Sequence, residues 1–101
     1  MNPSLCIPKI ENNITKLDII EIFQNKLKIG DIDRVDIIQK SSETNFSNRA
    51  FIHFKKWNVE ENDISKKILL SLTNKEVVKI VYEFPWYWKC YISKIPKPNF
   101  Y

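Results

Sequence analysis

One short stretch, residues 48–54, constrains the fold more than any other part of this sequence, because its side chains alternate in character. One set is small or apolar, and the other is larger and either polar or aromatic. The first set is Ala50, Ile52 and Phe54, and the second is Arg49, Phe51 and His53. Successive side chains of a strand point to opposite faces of a sheet, so this alternation predicts a central strand with one buried face. The opposite face could contact a partner.

The residues before this stretch predict a strand, a helix and a second strand. Residues 4–10 are largely apolar and should form the first strand. Thr15 is placed to cap a helix that runs to about Lys28, and Gly30, the only glycine, is expected to end it in a left-handed conformation. Residues 31–40 should form the second strand, and the polar residues 41–47 should form a loop.

The residues after it predict a second helix and a fourth strand. Residues 58–61 offer a second helix cap with acidic side chains in the first turn. The helix should end near residues 73–74, and residues 77–83 are rich in the β-branched side chains typical of strands. Its expected inward-facing residues are Ile64, Ile68, Leu69 and Leu72.

This order of elements, βαββαβ, predicts an α+β sandwich of the ferredoxin-like type: a four-stranded antiparallel sheet with two helices on one face. A chain of 101 residues has room for one such core. The domain should cover residues 1–84, and residues 85–101 form an aromatic extension that contains proline and lysine and packs on or beside it.

The order of elements and residues 47–54, SNRAFIHF, together resemble the RNA recognition motif (RRM) family. That family carries the pattern K/R-G-F/Y-G/A-F-V-x-F/Y on its third strand and a hexapeptide on its first, here LCIPKI at residues 5–10. The resemblance implies RNA binding, with bases stacked on aromatic side chains at three sheet positions. This chain keeps only Phe51 of the three, with Cys6 and Arg49 at the others and Ser47 in place of a basic residue.

A basic sheet surface is the first candidate site. Phe51 would stack on a base, and Arg49 would stack or pair with phosphate. The full candidate set is Phe51, Arg49, His53, Lys9, Arg34, Lys55 and Lys79. Each charge could equally be a solvated residue that keeps an exposed sheet from aggregating, and His53 is expected to be a surface strand residue.

The aromatic segment that follows the fourth strand is the second candidate site. Its residues Trp86, Tyr87, Trp88, Lys89 and Tyr91 could form a stacking platform or a protein-binding anchor. The alternation also suits a further strand or an extended segment lying against the sheet, with both tryptophans buried and both tyrosines half exposed. If this segment covers Phe51, the RNA-binding face is occluded and a protein partner is favoured. Residues 94–101 form a basic tail that should be mobile unless it docks.

Other kinds of site find little support in the sequence. There is one histidine and there are two cysteines, Cys6 and Cys90, which are expected to be free thiols, with a disulfide between them as the alternative. Asp36 and its acidic neighbours indicate a solvated strand end. We expect no enzyme activity, no cofactor, no metal and no small-molecule substrate. We also expect no membrane span. Because residues 1–4 lack the charged start and apolar core of a signal peptide, we expect an intracellular protein.

Two functions remain open from the sequence. One is binding of RNA or single-stranded nucleic acid through the sheet, which the net charge of +4 favours. The other is a protein interface, in self-association or a larger assembly. The composition, rich in Ile, Lys and Asn, and the FPWYWK stretch are also similar to small RRM-like proteins of giant DNA viruses. That resemblance implies an accessory or virion-packaged protein in the host cytoplasm, the nucleus or the virion.

Overall fold

A computed structural model describes residues 2–39 and 47–93 and has the α+β architecture that the sequence predicts. The strands are β1 (Leu5–Glu11), β2 (Gly30–Gln39), β3 (Ser47–Trp57), β4 (Val78–Glu83) and β5 (Trp86–Ile92). The helices are α1 (Lys16–Ile20), which continues as a π-helical segment (Glu21–Lys26), and α2 (Asp63–Thr73). The loop was predicted at residues 41–47, of which only Ser47, the first residue of β3, is described. The predicted tail at residues 94–101 lies outside the described residues. No helix within the described ranges is long and apolar enough to cross a bilayer.

The sheet has five antiparallel strands in the order β2-β3-β1-β5-β4, not the four strands expected. The extra strand, β5, comes from the aromatic extension and lies between β1 and β4, so one of the two alternatives left open by the sequence is confirmed. Ile52 of β3 pairs with Leu5 on one side and with Val35 on the other. All three are buried, so they define the core face of the sheet. We call the opposite face the outer face.

Helix α1 begins as the sequence predicts and ends differently. Thr15 accepts a hydrogen bond from the backbone N–H of Asp18, whose carboxylate accepts one from the N–H of Thr15, a capping box. At the other end Lys28, with φ of 52°, takes the left-handed conformation expected of Gly30. Gly30 instead starts β2, and a Cβ there would lie 3.0 Å from Cα of Trp57. The glycine is needed for close backbone approach, not for a positive φ.

Helix α2 differs from the prediction at its N-terminus. Asn62, not a residue of the 58–61 stretch, is the N-cap and accepts hydrogen bonds from the backbone N–H groups of Ile64 and Ser65. Ile64 was expected to face inward but is 56% exposed. Ser65 is buried in its place, and its hydroxyl donates a 2.6 Å hydrogen bond to the carbonyl of Ile29.

One hydrophobic core holds the sheet and both helices together. Phe23 of the π-helical segment and Leu72 of α2 belong to the same buried cluster as Ile7 and Ile52 of the sheet, so both helices lie on the core face. Trp88 of β5 is central to this cluster. Its ring stacks on Tyr82 at 4.2 Å and lies parallel to the ring of Phe23 at 6.4 Å. Part of the aromatic extension therefore builds the core.

Candidate nucleic-acid interface

The outer face carries the residues that sequence analysis singled out on β3. In the pairing register, Arg34 lies opposite His53, and Asp36 lies opposite Phe51. Phe51 in turn lies opposite Cys6, and Cys6 lies opposite Tyr91 of β5. Because directly paired residues share a face, these side chains form rows across the outer face.

The middle of the outer face is not open to a ligand. The ring of Phe51 is 6% exposed, and that of His53 is 2% exposed. Base stacking on Phe51 requires an uncovered ring, and this ring is covered here. The expectation that His53 is a surface residue is wrong. The described part of the aromatic extension is not responsible for covering Phe51, because β5 joins the sheet beside β1 and does not lie over it.

His53 belongs to a polar network that links β2, β3 and the residue before β1. Its Nε2 lies 3.4 Å from the carboxylate of Asp36, and its Nδ1 lies 2.6 Å from the hydroxyl of Ser4. The carboxylate favours the tautomer with its proton on Nε2, so the Ser4 hydroxyl donates to Nδ1. Asp36 also forms a 2.7 Å ion pair with Arg34. Asp36 is therefore half-buried and paired, in contrast to the predicted solvated strand end.

This network places serine, histidine and carboxylate groups together, an arrangement that sequence analysis did not anticipate. The alternation on β2 and β3 could have indicated that Asp36 faces His53, but no pattern in the sequence places Ser4 beside them. Burial lowers the pKa of His53, the Asp36 carboxylate opposes that shift, and the Arg34 guanidinium adds to it. The ring is thus neutral and enclosed, and the network is suited to holding three chain segments together.

The half of the outer face formed by β4 and β5 is open, basic and aromatic. Tyr87 is 44% exposed and Tyr91 is 38% exposed, as predicted for half-exposed rings, and Lys89 between them is also exposed. Lys79 of β4 pairs directly with Lys89, and its ammonium lies 5.1 Å from the centre of the Tyr87 ring. We call these residues, Lys79, Tyr87, Lys89 and Tyr91, the tyrosine stripe.

The remaining predicted residues lie on β1, β2 and β3. Arg49 and Lys55 are exposed on β3, and Lys9 is exposed where the pairing of β1 with β3 shifts register. Arg34 lies on the outer face but is held by Asp36, so it is less available to a phosphate. The structure thus brings together two tyrosines and two lysines, while Phe51, His53 and Arg34 form a separate, more buried group.

The two tryptophans of the extension have different environments. Trp88 is buried and donates from its indole N–H to the carboxylate of Glu11 at 3.3 Å. Trp86 was expected to be buried with it but is 64% exposed, and Phe84 in the preceding turn is 88% exposed. The tip of the β4–β5 hairpin is therefore an apolar surface distinct from the tyrosine stripe.

The cysteines and acidic residues offer no metal centre within residues 2–39 and 47–93, where no group of three His, Cys, Asp or Glu side chains could hold a metal ion. Neither Cys6 nor Cys90 forms a disulfide. Burial, with a smaller effect from Cys6, raises the pKa of the Cys90 thiol well above its usual range. Such a thiol is a packing residue and a poor nucleophile.

Comparison of the chain with protein-family models, with curated proteins and with solved structures finds no match.

Proposed function

We propose that this chain is a non-enzymatic module that binds RNA or single-stranded DNA on the outer face of its sheet. The observation that carries the proposal is the tyrosine stripe: two half-exposed tyrosine rings on one strand with a lysine between them and a second lysine alongside. Aromatic rings fixed on a strand stack on bases of any sequence, and lysines beside them neutralise the phosphates.

The spacing within the stripe suits a strand that crosses it in an extended conformation. Tyr87 and Tyr91 are separated by four positions on β5, or roughly 13 Å along the strand. Lys79 and Lys89 lie directly opposite each other, and like charges in such a pair are destabilising. A phosphate bound between the two ammonium groups would remove that repulsion. Arg49, Lys55 and Lys9 would extend the positive surface towards β3 and β1.

We also infer that the fold is a modified RRM-like, ferredoxin-like core. Strand β5, not β4, would take the position that the family's fourth strand occupies beside β1, and β4 would be an addition at the sheet edge. Its order β2-β3-β1-β5 and the packing of both helices on the core face support this inference. On this view the aromatic side chains available for stacking lie on β5. The family carries them on β3 and β1, where this chain has Phe51 and Cys6.

The test is fluorescence anisotropy with mixed-sequence single-stranded RNA and DNA oligomers over a series of salt concentrations. Tyr91→Ala should weaken binding by roughly 1 to 3 kcal/mol per lost stacking contact. Lys89→Ala should weaken it and reduce the salt dependence by about one released counterion. Phe51→Leu, which keeps a buried apolar side chain, should leave affinity unchanged.

Lys66→Ala is the matched control, because Lys66 is an exposed lysine of α2, on the opposite side of the sheet. It removes the same charge and should change affinity far less than Lys89→Ala. Equal losses of affinity in the two lysine variants, or an affinity that Tyr91→Ala does not change, would contradict the proposal. Either result would mean that the nucleic acid is attracted nonspecifically to a basic protein.

A protein interface remains the second candidate function, and the exposed tip of the β4–β5 hairpin favours it. Phe84 and Trp86 expose most of their surface, and large aromatics often anchor protein interfaces. This function predicts that Phe84→Ala abolishes association with a partner or with a second copy while nucleic-acid affinity stays unchanged. Sedimentation velocity of wild type and variant measures the self-association.

A further inference from the structure

A groove of about 590 Å³ lies on the helix side of the molecule, away from the tyrosine stripe. It is bordered by the end of β1, by α1 with its π-helical continuation, and by the turn between β4 and β5. Its size is within the usual range of ligand pockets, and Ile14 and Ile22 supply apolar side chains to its lining. We call it the acidic groove because of the charges described next.

The groove concentrates negative charge in a chain that is positive overall. Its lining residues include four acidic ones, Glu11, Asp18, Glu21 and Glu83, and one basic residue, Lys26. Within the described residues, none of these carboxylates forms an ion pair with a lysine or arginine. The hydrogen-bond donors that they do have are neutral. They are the backbone N–H of Thr15 for Asp18, the Asn25 amide for Glu21, and the Tyr82 hydroxyl and Trp88 indole for Glu11.

Two aromatic side chains complete the groove. Tyr82 is held by its stacking on Trp88 and by its 3.0 Å hydrogen bond to Glu11, so this wall is rigid. Trp86 exposes 64% of its surface although it borders the groove. Burial raises the pKa of Tyr82, and the carboxylates of Glu11 and Glu83 raise it further, as expected for a wall that faces negative charge.

We propose that the acidic groove binds an arginine side chain presented by an extended segment of a partner protein. A guanidinium group can stack flat on an indole ring and donate to a carboxylate, and the groove offers an exposed tryptophan together with carboxylates that have no cationic partner among the described residues. A metal ion fits less well, since no three of the described carboxylates converge on one point. The apolar part of the lining would accommodate the side chain's methylene groups. This proposal does not depend on the proposed nucleic-acid function, which uses the other face.

The experiment is an NMR titration of the full chain with a short glycine–serine peptide that carries one central arginine and has both ends blocked. The indole resonance of Trp86 and the amides of Tyr82 and Glu83 should shift and saturate at millimolar peptide or below. Trp86→Ala and Glu21→Gln should each weaken binding roughly three- to tenfold, the loss expected for one cation–π contact or one charge pair. The same peptide with glutamate in place of arginine should cause no shift.

Two control variants test whether the loss of peptide binding is specific to residues that line the groove. Phe84→Ala removes an exposed aromatic next to the groove but not in its lining, and Glu61→Gln removes an exposed carboxylate elsewhere, so both should bind as wild type does. Shifts that do not saturate, or that survive Trp86→Ala and Glu21→Gln unchanged, would overturn the proposal. So would shifts that depend on protein concentration without peptide, because they would assign the groove to a second copy. Oligonucleotide binding measured on the same variants should be unaffected, which keeps the two proposals separately testable.

Discussion

His53 is the residue whose environment the sequence predicted least well, and its burial makes stability depend on pH. The folded state lowers its pKa below the ordinary 6.5, so between these two values the unfolded chain binds a proton that the folded chain does not. Stability contributed by the neutral ring is complete above pH about 6.5 and is lost as the pH falls towards the folded pKa. We expect the free energy of unfolding to decrease over this window.

His53→Gln tests this expectation, because a glutamine amide can still contact Ser4 and Asp36 but does not titrate. Urea denaturation at a series of pH values should give a flatter profile for the variant than for wild type below pH about 6.5. Carboxylates titrate in both proteins, so the contribution of His53 is the difference between the two profiles of unfolding free energy against pH. Parallel profiles would mean that the pKa of His53 is the same in the folded and unfolded chains, which would contradict this prediction.

Gly30 and Lys28 give a pair of predictions of opposite sign. A Cβ at Gly30 would collide with the carbonyl of Lys56 and with the backbone of Trp57, neither of which can move freely. Gly30→Ala should therefore destabilise the fold by about 1 to 3 kcal/mol, as other overpacked sites do. Lys28 already has φ of 52°, so Lys28→Gly should be neutral or stabilise by up to about 1 kcal/mol. Chemical denaturation measures both, and destabilisation by both variants would contradict this assignment.

At the scale of the elements, β5 places some aromatic side chains of the extension in the core and others on the surface. Trp88 is 2% exposed and stacks within the core, whereas Trp86, two residues earlier, is 64% exposed. Trp88→Ala should cost about 3 to 5 kcal/mol, or prevent folding, because it removes a large buried ring and leaves a cavity. Trp86→Ala should change the free energy of unfolding by less than about 0.5 kcal/mol. Denaturation curves that shift equally in the two variants would show that the two rings contribute equally to stability, which would contradict this prediction.

Local patterns in the sequence predicted most elements, and non-local pairing explains what they missed. A largely apolar run indicated β1, alternation indicated β3, and Thr15 indicated the start of α1, because these signals depend only on near neighbours. The position of β5 between β1 and β4 depends on pairing across the chain, which periodicity does not encode. The π-helical segment was missed for a related reason. Sequence analysis predicted one regular helix running to about Lys28, whereas Ile22 and Phe23 are buried within the π-helical segment.

The candidate site was predictable in part. The sequence identified Tyr87, Lys89 and Tyr91 as a possible interface, and alternation on β5 places them together on the outer face. It did not identify the burial of Phe51, because the RRM-like pattern describes which residues occupy a strand and not how deeply each side chain is buried in the folded chain. The acidic groove was also missed, since its residues come from β1, α1 and the β4–β5 turn and are adjacent only in the folded chain.

At the scale of the whole molecule, the insertion of β5 makes Trp86–Ile92 part of the sheet. Without them β1 and β4 would lose their shared neighbour, and the core would lose Trp88 and Cys90, both buried. The free energy of unfolding of such a domain is only about 5 to 15 kcal/mol, and we expect loss of a central strand to cost more than this. We therefore expect a chain truncated after residue 84 to be unfolded, although the element order of residues 1–84 alone resembles a complete RRM-like domain.

A chain truncated after residue 93 is the matched control, because it also lacks C-terminal residues but keeps all five strands. Circular dichroism and thermal unfolding of the two truncated proteins distinguish the alternatives. A cooperative transition in the 1–93 chain and none in the 1–84 chain would make β5 an integral strand. Cooperative unfolding of the 1–84 chain near the wild-type midpoint would instead mean that β4 can pair with β1 directly, since the vacated position is the one open to it. The extension would then be an accessory to a self-sufficient four-stranded domain.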